Sequence, residues 1–197
     1  QHVPPNAACT FTLREGRTSQ VIHDVVTRES QLGILFLSHM NARFLKDLFH
    51  KNKLEFTPLC AFTPCLYVRS GHPLAEFSHV VPGQFSSYPC VRFEQGHDKS
   101  QFSEELLLPN RASRQCIYVT DRSTLFSIIR ATDAYTIGTG HAAPSIIGRH
   151  LAVIPIKNPL DTMTVGWIKM AGEPLSEEAS HYITILTDLL RGRENKE

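Results

Sequence analysis

Hydrophobic residues along the chain occur at two spacings, which predict a succession of short strands and amphipathic helices. Short apolar and β-branched runs are typical of buried strands, whereas apolar residues three and four positions apart are typical of helices. Strands are predicted at residues 8–13, 33–37, 54–59, 65–68, 89–93, 116–119, 135–137, 151–156 and 164–170. Helices are predicted between residues 19 and 30, at 41–50, after a turn at 120–123 and from 177 to 191, with shorter ones after residue 72, within 80–87 and at 104–108.

The opening elements follow the order strand, helix, strand, helix, strand. This order predicts an α/β fold with a parallel sheet and helical crossovers. Thr18 or Ser19 is expected to cap the first helix and Ser176 the last, since hydroxyl side chains favour the N-cap position.

The segment at 116–140 predicts a strand, a turn, a helix and a second strand. Its turn places the hydroxyls of Thr120 and Ser123 at a helix N-terminus, where backbone N–H groups lack partners and the helix dipole is positive. A small carboxylate or sulfate suits such a point. Arg17 and Arg122 each lie in a loop that leads into a helix, where a guanidinium can clamp a carboxylate. The alternatives are that the hydroxyls only cap the helix and that the arginines are solvated.

Charge and cysteine content restrict the class of protein. The 197 residues carry 20 Lys and Arg against 19 Asp and Glu, which predicts no general attraction to nucleic acid or to anionic membranes. No apolar run reaches the length of about 18 residues that a membrane span needs. The cysteines are odd in number and lack a C-x-x-C, which predicts free thiols in a reducing compartment, with a redox-sensing pair as the alternative. They are Cys9, Cys60, Cys65, Cys90 and Cys116.

Motifs for cofactors and catalysis are weak or missing. Residues 138–143 fit the G-x-G-x-x-A pattern of dinucleotide-binding loops, but Pro144 and the short interval to residue 151 leave no room for a Rossmann crossover helix. The ten histidines show no metal-ligand spacing, so no metal and no cofactor are expected. Neither a G-x-S-x-G elbow nor a P-loop occurs, which leaves no positive support for an enzyme.

Several motifs, taken in order, resemble the effector-binding domain of LysR-type transcriptional regulators. HPLA and the ordering of the motifs are the most telling features, and the resemblance covers nearly the whole chain. In LGILF, Gly33 stands where the family usually has Asp. The motifs are LREGRT at 13–18, LGILF at 32–36, HPLA at 72–75, the segment at 128–140, and VGW at 165–167 with the closing helix.

The resemblance implies a fold like that of type II periplasmic binding proteins. Two Rossmann-like subdomains would be joined by two crossing strands, near 65–69 and 164–170. Subdomain I would comprise residues 1–65 plus 165–197, and subdomain II residues 66–164. The family's first strand and helix, and its DNA-binding winged helix-turn-helix, have no counterpart in this sequence.

The resemblance also implies an effector in the cleft between the subdomains, at strand ends and helix N-termini. The expected effector-binding residues carry hydroxyl or guanidinium groups near such ends. They are Thr18, Ser19, Ser38, Thr120, Arg122, Ser123 and Thr139.

The implied function is a non-enzymatic, cytoplasmic sensor of a small anionic effector. The family resemblance further implies a homodimer, a tetramer in the full-length protein, and contact with DNA only through the winged helix-turn-helix. Three alternatives stay open: a transporter's solute-binding protein with the same fold, an enzyme on this fold, and a dimerisation module whose cleft binds nothing. A signal peptide or a winged helix on the gene would separate the first alternative from a regulator.

Overall fold

The computed structural model describes residues 10–96, 102, 115–140, 148–157 and 162–194, with side chains described as far as residue 190. The strands are β1 (Gly33–Leu37), β2 (Leu54–Phe62), β3 (Cys65–Arg69), β4 (Cys90–Phe93), β5 (Cys116–Val119), β6 (Thr136–Gly138), β7 (Leu151–Pro155) and β8 (Met163–Met170). The helices are α1 (Thr18–Val26), α2 (His39–Lys51), a 3-10 helix (Pro73–Glu76), α3 (Pro82–Phe85), α4 (Arg122–Ala131) and α5 (Glu177–Glu194).

The first sheet has the strand order β1-β8-β2, and β8 is antiparallel to both of its neighbours. Helices α1 and α2 contact this sheet and bury Val25 and Leu45 with Ile168 of β8 in one core. Gly33 has a steric role in that core, because a Cβ there would lie 2.6 Å from Val21 Cγ1. Glycine therefore lets α1 approach β1 closely, at the position where the resemblance expects an aspartate.

The second sheet has the strand order β6-β3-β7, and both pairings are antiparallel. The parallel pair β4-β5 joins it through a bridge between Cys90 and Tyr135. Leu66 and Val68 of β3 pack with Phe85 and Tyr135 in a separate core.

The chain passes from the first sheet to the second between β2 and β3 and returns between β7 and β8. The resemblance predicts crossing strands near 65–69 and 164–170; within the described residues, β3 pairs with strands of the second sheet alone and β8 with strands of the first sheet alone. The expectation of a simple parallel sheet is wrong, because β8 returns between β1 and β2 and runs antiparallel to both.

Most predicted elements are confirmed within a few residues, and three expectations near the start of the chain are corrected. The predicted strand at 8–13 is absent at 10–13, where Leu13 is 82% exposed and no strand of the described residues pairs with it. Arg17, rather than Thr18 or Ser19, is the N-cap residue of α1, and its side chain makes no capping hydrogen bond; Thr18 is already helical and is buried. That helix also ends at Val26 instead of residue 30. The predicted helix at 104–108 lies outside the described residues.

The HPLA motif forms a buried hydrogen-bonded turn beside the second sheet. His72 Nδ1 accepts from the Leu74 N–H at 3.0 Å, so Nε2 carries the proton and donates to the Asp133 carbonyl at 3.2 Å. The imidazole also packs against Tyr88, with ring centroids 4.5 Å apart. Burial lowers the pKa of His72, although the bond to the Asp133 carbonyl opposes that shift. The HPLA motif therefore encodes a neutral histidine that fixes the start of the 3-10 helix.

Candidate ligand-binding cleft

A cavity of about 370 Å³ lies between the two sheets, within the usual size range of small-molecule sites. Both sheets and the loops at their ends contribute to it. Its polar lining residues are Arg14, Glu15, Arg17, Thr18, Tyr67, Glu94, Gln95, Thr120, Arg122, Thr136 and Thr139. Its apolar lining includes Val21, Ile34, Leu35, Phe36, Phe93, Leu125, Phe126, Ile137 and Met163.

Tyr67 forms the part of the cavity wall that belongs to β3. Its side chain is buried, and its ring covers Gly138 so closely that a Cβ there would lie 2.8 Å from Tyr67 Cε2. Burial raises the pKa of Tyr67 to about 12, and the neighbouring Cys65 adds to the rise. Hydrogen bonds with the Thr139 side chain and the Gly140 backbone oppose it. The glycines of the G-x-G pattern thus have a packing role: Gly138 accommodates Tyr67, and Gly140 adopts φ +80° beside Cys65.

The N-terminus of α4, where the sequence suggested an anion, already holds a carboxylate of the chain. Asp121 is the N-cap residue, and its Oδ1 accepts from the Thr124 N–H at 2.8 Å. This hydrogen bond is the main reason why the pKa of Asp121 is lowered. A ligand anion placed directly at this helix end would meet the Asp121 carboxylate, so the arginines are the better anion partners in the cleft.

Two ion pairs cross the cleft between the loop before α1 and the segments beside the second sheet. Arg17 of the loop pairs with Glu94, which follows β4. Glu15 of the loop pairs with Arg122 at 2.7 Å, at the start of α4. The Glu94 carboxylate is held on its other oxygen by the Gly96 N–H at 2.6 Å. Each side of the cleft therefore supplies one arginine and one glutamate to these two ion pairs.

The cavity brings together four of the residues expected from sequence: Thr18, Thr120, Arg122 and Thr139. Ser19, Ser38 and Ser123 are not among its lining residues. Ser38 is instead buried at the start of α2, where its N–H donates to Asn41 Oδ1 at 2.8 Å. Ser38 Oγ has no hydrogen-bond partner among the described residues.

Sequence reasoning missed Tyr67, Glu15, Glu94 and Gln95. Tyr67 could have been proposed from the sequence, because its strand at 65–68 was predicted. Alternate residues of a strand face the same side of the sheet, so one of the two faces of this strand had to face the cleft. The glutamates carried no such signal, since their partners lie far along the chain.

Other chemistry in the described part of the molecule is limited. None of the four described cysteines forms a disulfide with another; Cys90 is buried and the other three are half-buried. Among the described residues, no group of three or more His, Cys, Asp and Glu side chains is placed to hold a metal ion. Within the same ranges, no helix is long and apolar enough to cross a membrane.

The chain belongs to the LysR substrate binding domain family, whose model matches residues 6–191. Domains of this family have the type II periplasmic-binding-protein-like fold, which agrees with the two sheets and the two connections between them described above. A sequence search among curated proteins finds no match.

Solved structures of LysR-family proteins share the fold at low sequence identity. HinK, a LysR family transcriptional regulator from Pseudomonas aeruginosa, is 11% identical with a TM-score of 0.62 over 90% of this chain; the chain spans 58% of HinK. The effector binding domain of QuiR in complex with shikimate is 17% identical, with a TM-score of 0.63 over 91% of this chain and 79% of that domain. The CcmR regulatory domain of Synechocystis PCC6803 in complex with 2-PG is 14% identical, with a TM-score of 0.59 over 88% of this chain and 79% of that domain.

Proposed function

We propose that this chain is the ligand-sensing regulatory domain of a LysR-type transcriptional regulator and that it binds a small effector carrying an anionic group in the cleft. The observation that carries the proposal is the cavity between the sheets, which is lined by polar side chains from both sides: Arg17 and Thr18 on one side, and Tyr67, Thr120 and Arg122 on the other. Structural relatives in the same fold were solved with small molecules, shikimate for QuiR and 2-PG for CcmR.

Arg17 and Arg122 are the residues proposed to meet the anionic group, because guanidinium groups form paired hydrogen bonds with carboxylates. Thr18, Thr120 and Thr139 would add hydroxyl contacts from the two sides of the cavity. Tyr67 and Phe126 lie with ring centroids 6.3 Å apart and would bound the apolar part of the ligand.

The regulatory step proposed here is a change in the angle between two subdomains, residues 1–65 with 165–197 and residues 66–164. A ligand shifts such an equilibrium only if it binds one arrangement better than the other. A homodimer, assembled into a tetramer in the full-length regulator, would pass the change to a winged helix-turn-helix on DNA in the cytoplasm. The proposal includes no enzymatic step, and membership of the LysR family favours it over a transporter's solute-binding protein.

A thermal-shift titration of this chain with small carboxylates, aromatic acids, amino acids and sulfate tests the proposal. An effector present at about 100 times its dissociation constant adds about 2.7 kcal/mol to the free energy of unfolding. Arg17→Gln and Thr18→Val should weaken the shift, whereas Ser123→Ala, on α4 but outside the cavity lining, should leave it unchanged. Absence of a saturable shift with every ligand, or an equal shift in all variants, contradicts a sensor that uses this cleft.

A further inference from the structure

The two cross-cleft ion pairs make the charge of the cleft nearly balanced. Arg17 and Arg122 face Glu94 and Glu15, so each cation that a ligand could use already has an internal anion. Arg14, the third arginine of the lining, is turned to Glu29 at 2.7 Å and to Asp24 at 3.6 Å. A ligand that carries only negative charge would take an arginine from its glutamate and leave that carboxylate without a cation.

The Arg17–Glu94 pair is better prepared for a ligand than the Arg122–Glu15 pair. The Glu94 side chain is only 25% exposed, against 65% for Glu15. The Gly96 N–H fixes the Glu94 carboxylate, so this glutamate stays in place when Arg17 turns to another anion. Beside it, Gln95 lines the cavity, and its buried Oε1 has no hydrogen-bond partner among the described residues. Glu94 and Gln95 together present acceptors that suit a ligand N–H donor.

The remaining cleft surface is apolar and aromatic. Phe93 precedes Glu94 directly, and Phe36, Phe126 and Met163 line the same cavity. The Arg17 side chain is 49% exposed, so a ligand can reach it and exchange the Arg17–Glu94 contact for charged hydrogen bonds of the same kind. After the exchange, Arg17 still needs a negatively charged partner and Glu94 still needs a positively charged one.

We infer that the effector is a zwitterion of the amino-acid type with an apolar side chain. Its carboxylate binds Arg17, its ammonium group binds Glu94 and the Gln95 carbonyl, and its side chain lies against the aromatic lining. This inference rests on the proposed function and specifies the ligand class of the same site.

Matched ligands separate this inference from simple anion binding. The full chain is titrated calorimetrically with each standard amino acid, and leucine and phenylalanine are compared with isocaproate and hydrocinnamate, which lack the ammonium group. We expect at least one apolar amino acid to bind about tenfold or more tightly than its counterpart without the amino group, since a charged hydrogen-bond partner is lost. Equal or tighter binding of the acids without the amino group overturns the zwitterion while leaving the proposed function intact.

Two Glu→Gln variants test which glutamate binds the ammonium group of the ligand. Glu94→Gln should abolish the preference for the amino acid, whereas Glu15→Gln, on the opposite side of the cleft, should retain it. Glu173→Gln, which removes a 2.7 Å ion pair with Arg28 outside the cleft, controls for general effects of charge. A preference that survives Glu94→Gln overturns the assignment, as does failure of every amino acid to bind. Failure of the amino acids, the carboxylates and sulfate alike would overturn the proposed function as well.

Discussion

The two sides of the cleft are held in place by different interactions. On the second-sheet side, Tyr67 is buried on a central strand, over Gly138 of the neighbouring strand. On the other side, residues 14–17 form an exposed loop without regular structure, which reaches across the cleft through Arg17 and Glu15. Burial and close packing stabilise the second-sheet side around Tyr67. The loop at 14–17 depends instead on ion pairs, which salt weakens. The comparison indicates that the loop is the part of the cleft whose position a ligand can change most easily.

The largest effect should come from filling the space beneath Tyr67. Gly138→Val places a side chain where even a Cβ would lie 2.8 Å from the tyrosine ring. Overpacking of this kind typically lowers the free energy of unfolding by about 1–3 kcal/mol. Urea denaturation measures the loss. Gly83→Ala is the control, because no atom lies within 4 Å of a Cβ at that position, and its change should stay within about 0.5 kcal/mol. Equal urea midpoints for Gly138→Val and Gly83→Ala would contradict close packing of Tyr67 against Gly138.

A smaller effect is expected from removing the Tyr67 hydroxyl. Tyr67→Phe deletes the hydrogen bonds with Thr139 and the Gly140 backbone, at a cost of about 0.5–1.5 kcal/mol, whereas Tyr118→Phe on the surface should cost less. Because the pKa of Tyr67 is raised to about 12, its stabilising contribution is fully present below the unfolded-state value of about 10 and is lost as the pH rises through 12. Ultraviolet titration of tyrosinate in the wild type and in Tyr67→Phe measures the pKa of Tyr67. If the group that disappears in the variant is one that titrates near pH 10, Tyr67 is not buried as described.

His72 of the HPLA turn should make the free energy of unfolding sensitive to acid on the second-sheet side. Its folded-state pKa is lowered by burial, so its contribution is present above the unfolded-state pKa of about 6.5 and is lost as the pH falls through the lowered value. The slope can reach at most about 1.4 kcal/mol per pH unit for one proton. Urea midpoints between about pH 7.5 and 5 measure the slope, and His72→Asn should reduce it. A slope that is unchanged in that variant would assign the acid sensitivity to another group.

The smallest effect on stability is expected on the loop side of the cleft. Glu15→Gln removes the exposed pair with Arg122, which should change the free energy of unfolding by less than about 1 kcal/mol. The difference from wild type should shrink further in about 1 M salt, because exposed charges are screened. Thermal unfolding at low and high salt tests both points. A loss as large as that of Gly138→Val would show that the loop is as firmly packed as the tyrosine side.

Sequence reasoning located most elements, because the periodicity of apolar residues is a local property. The strand at Gly33–Leu37 and helix α4 follow directly from such patterns. It failed at residues 10–13, where an alternating pattern has no partner strand among the described residues. It also placed the anion site at the start of α4, since hydroxyls near a helix end do not show that the Asp121 carboxylate caps it.

Local patterns in the sequence were sufficient to predict the order of most strands and helices and the family. Tertiary structure alone decided that β8 lies between β1 and β2 and that Tyr67 covers Gly138. It also decided that Arg17 meets Glu94, 77 positions away, and that Arg122 meets Glu15, 107 positions away. The physical reason is that strand and helix formation depend on neighbours in sequence, whereas the charge balance of a cleft depends on which loops the packed sheets bring together.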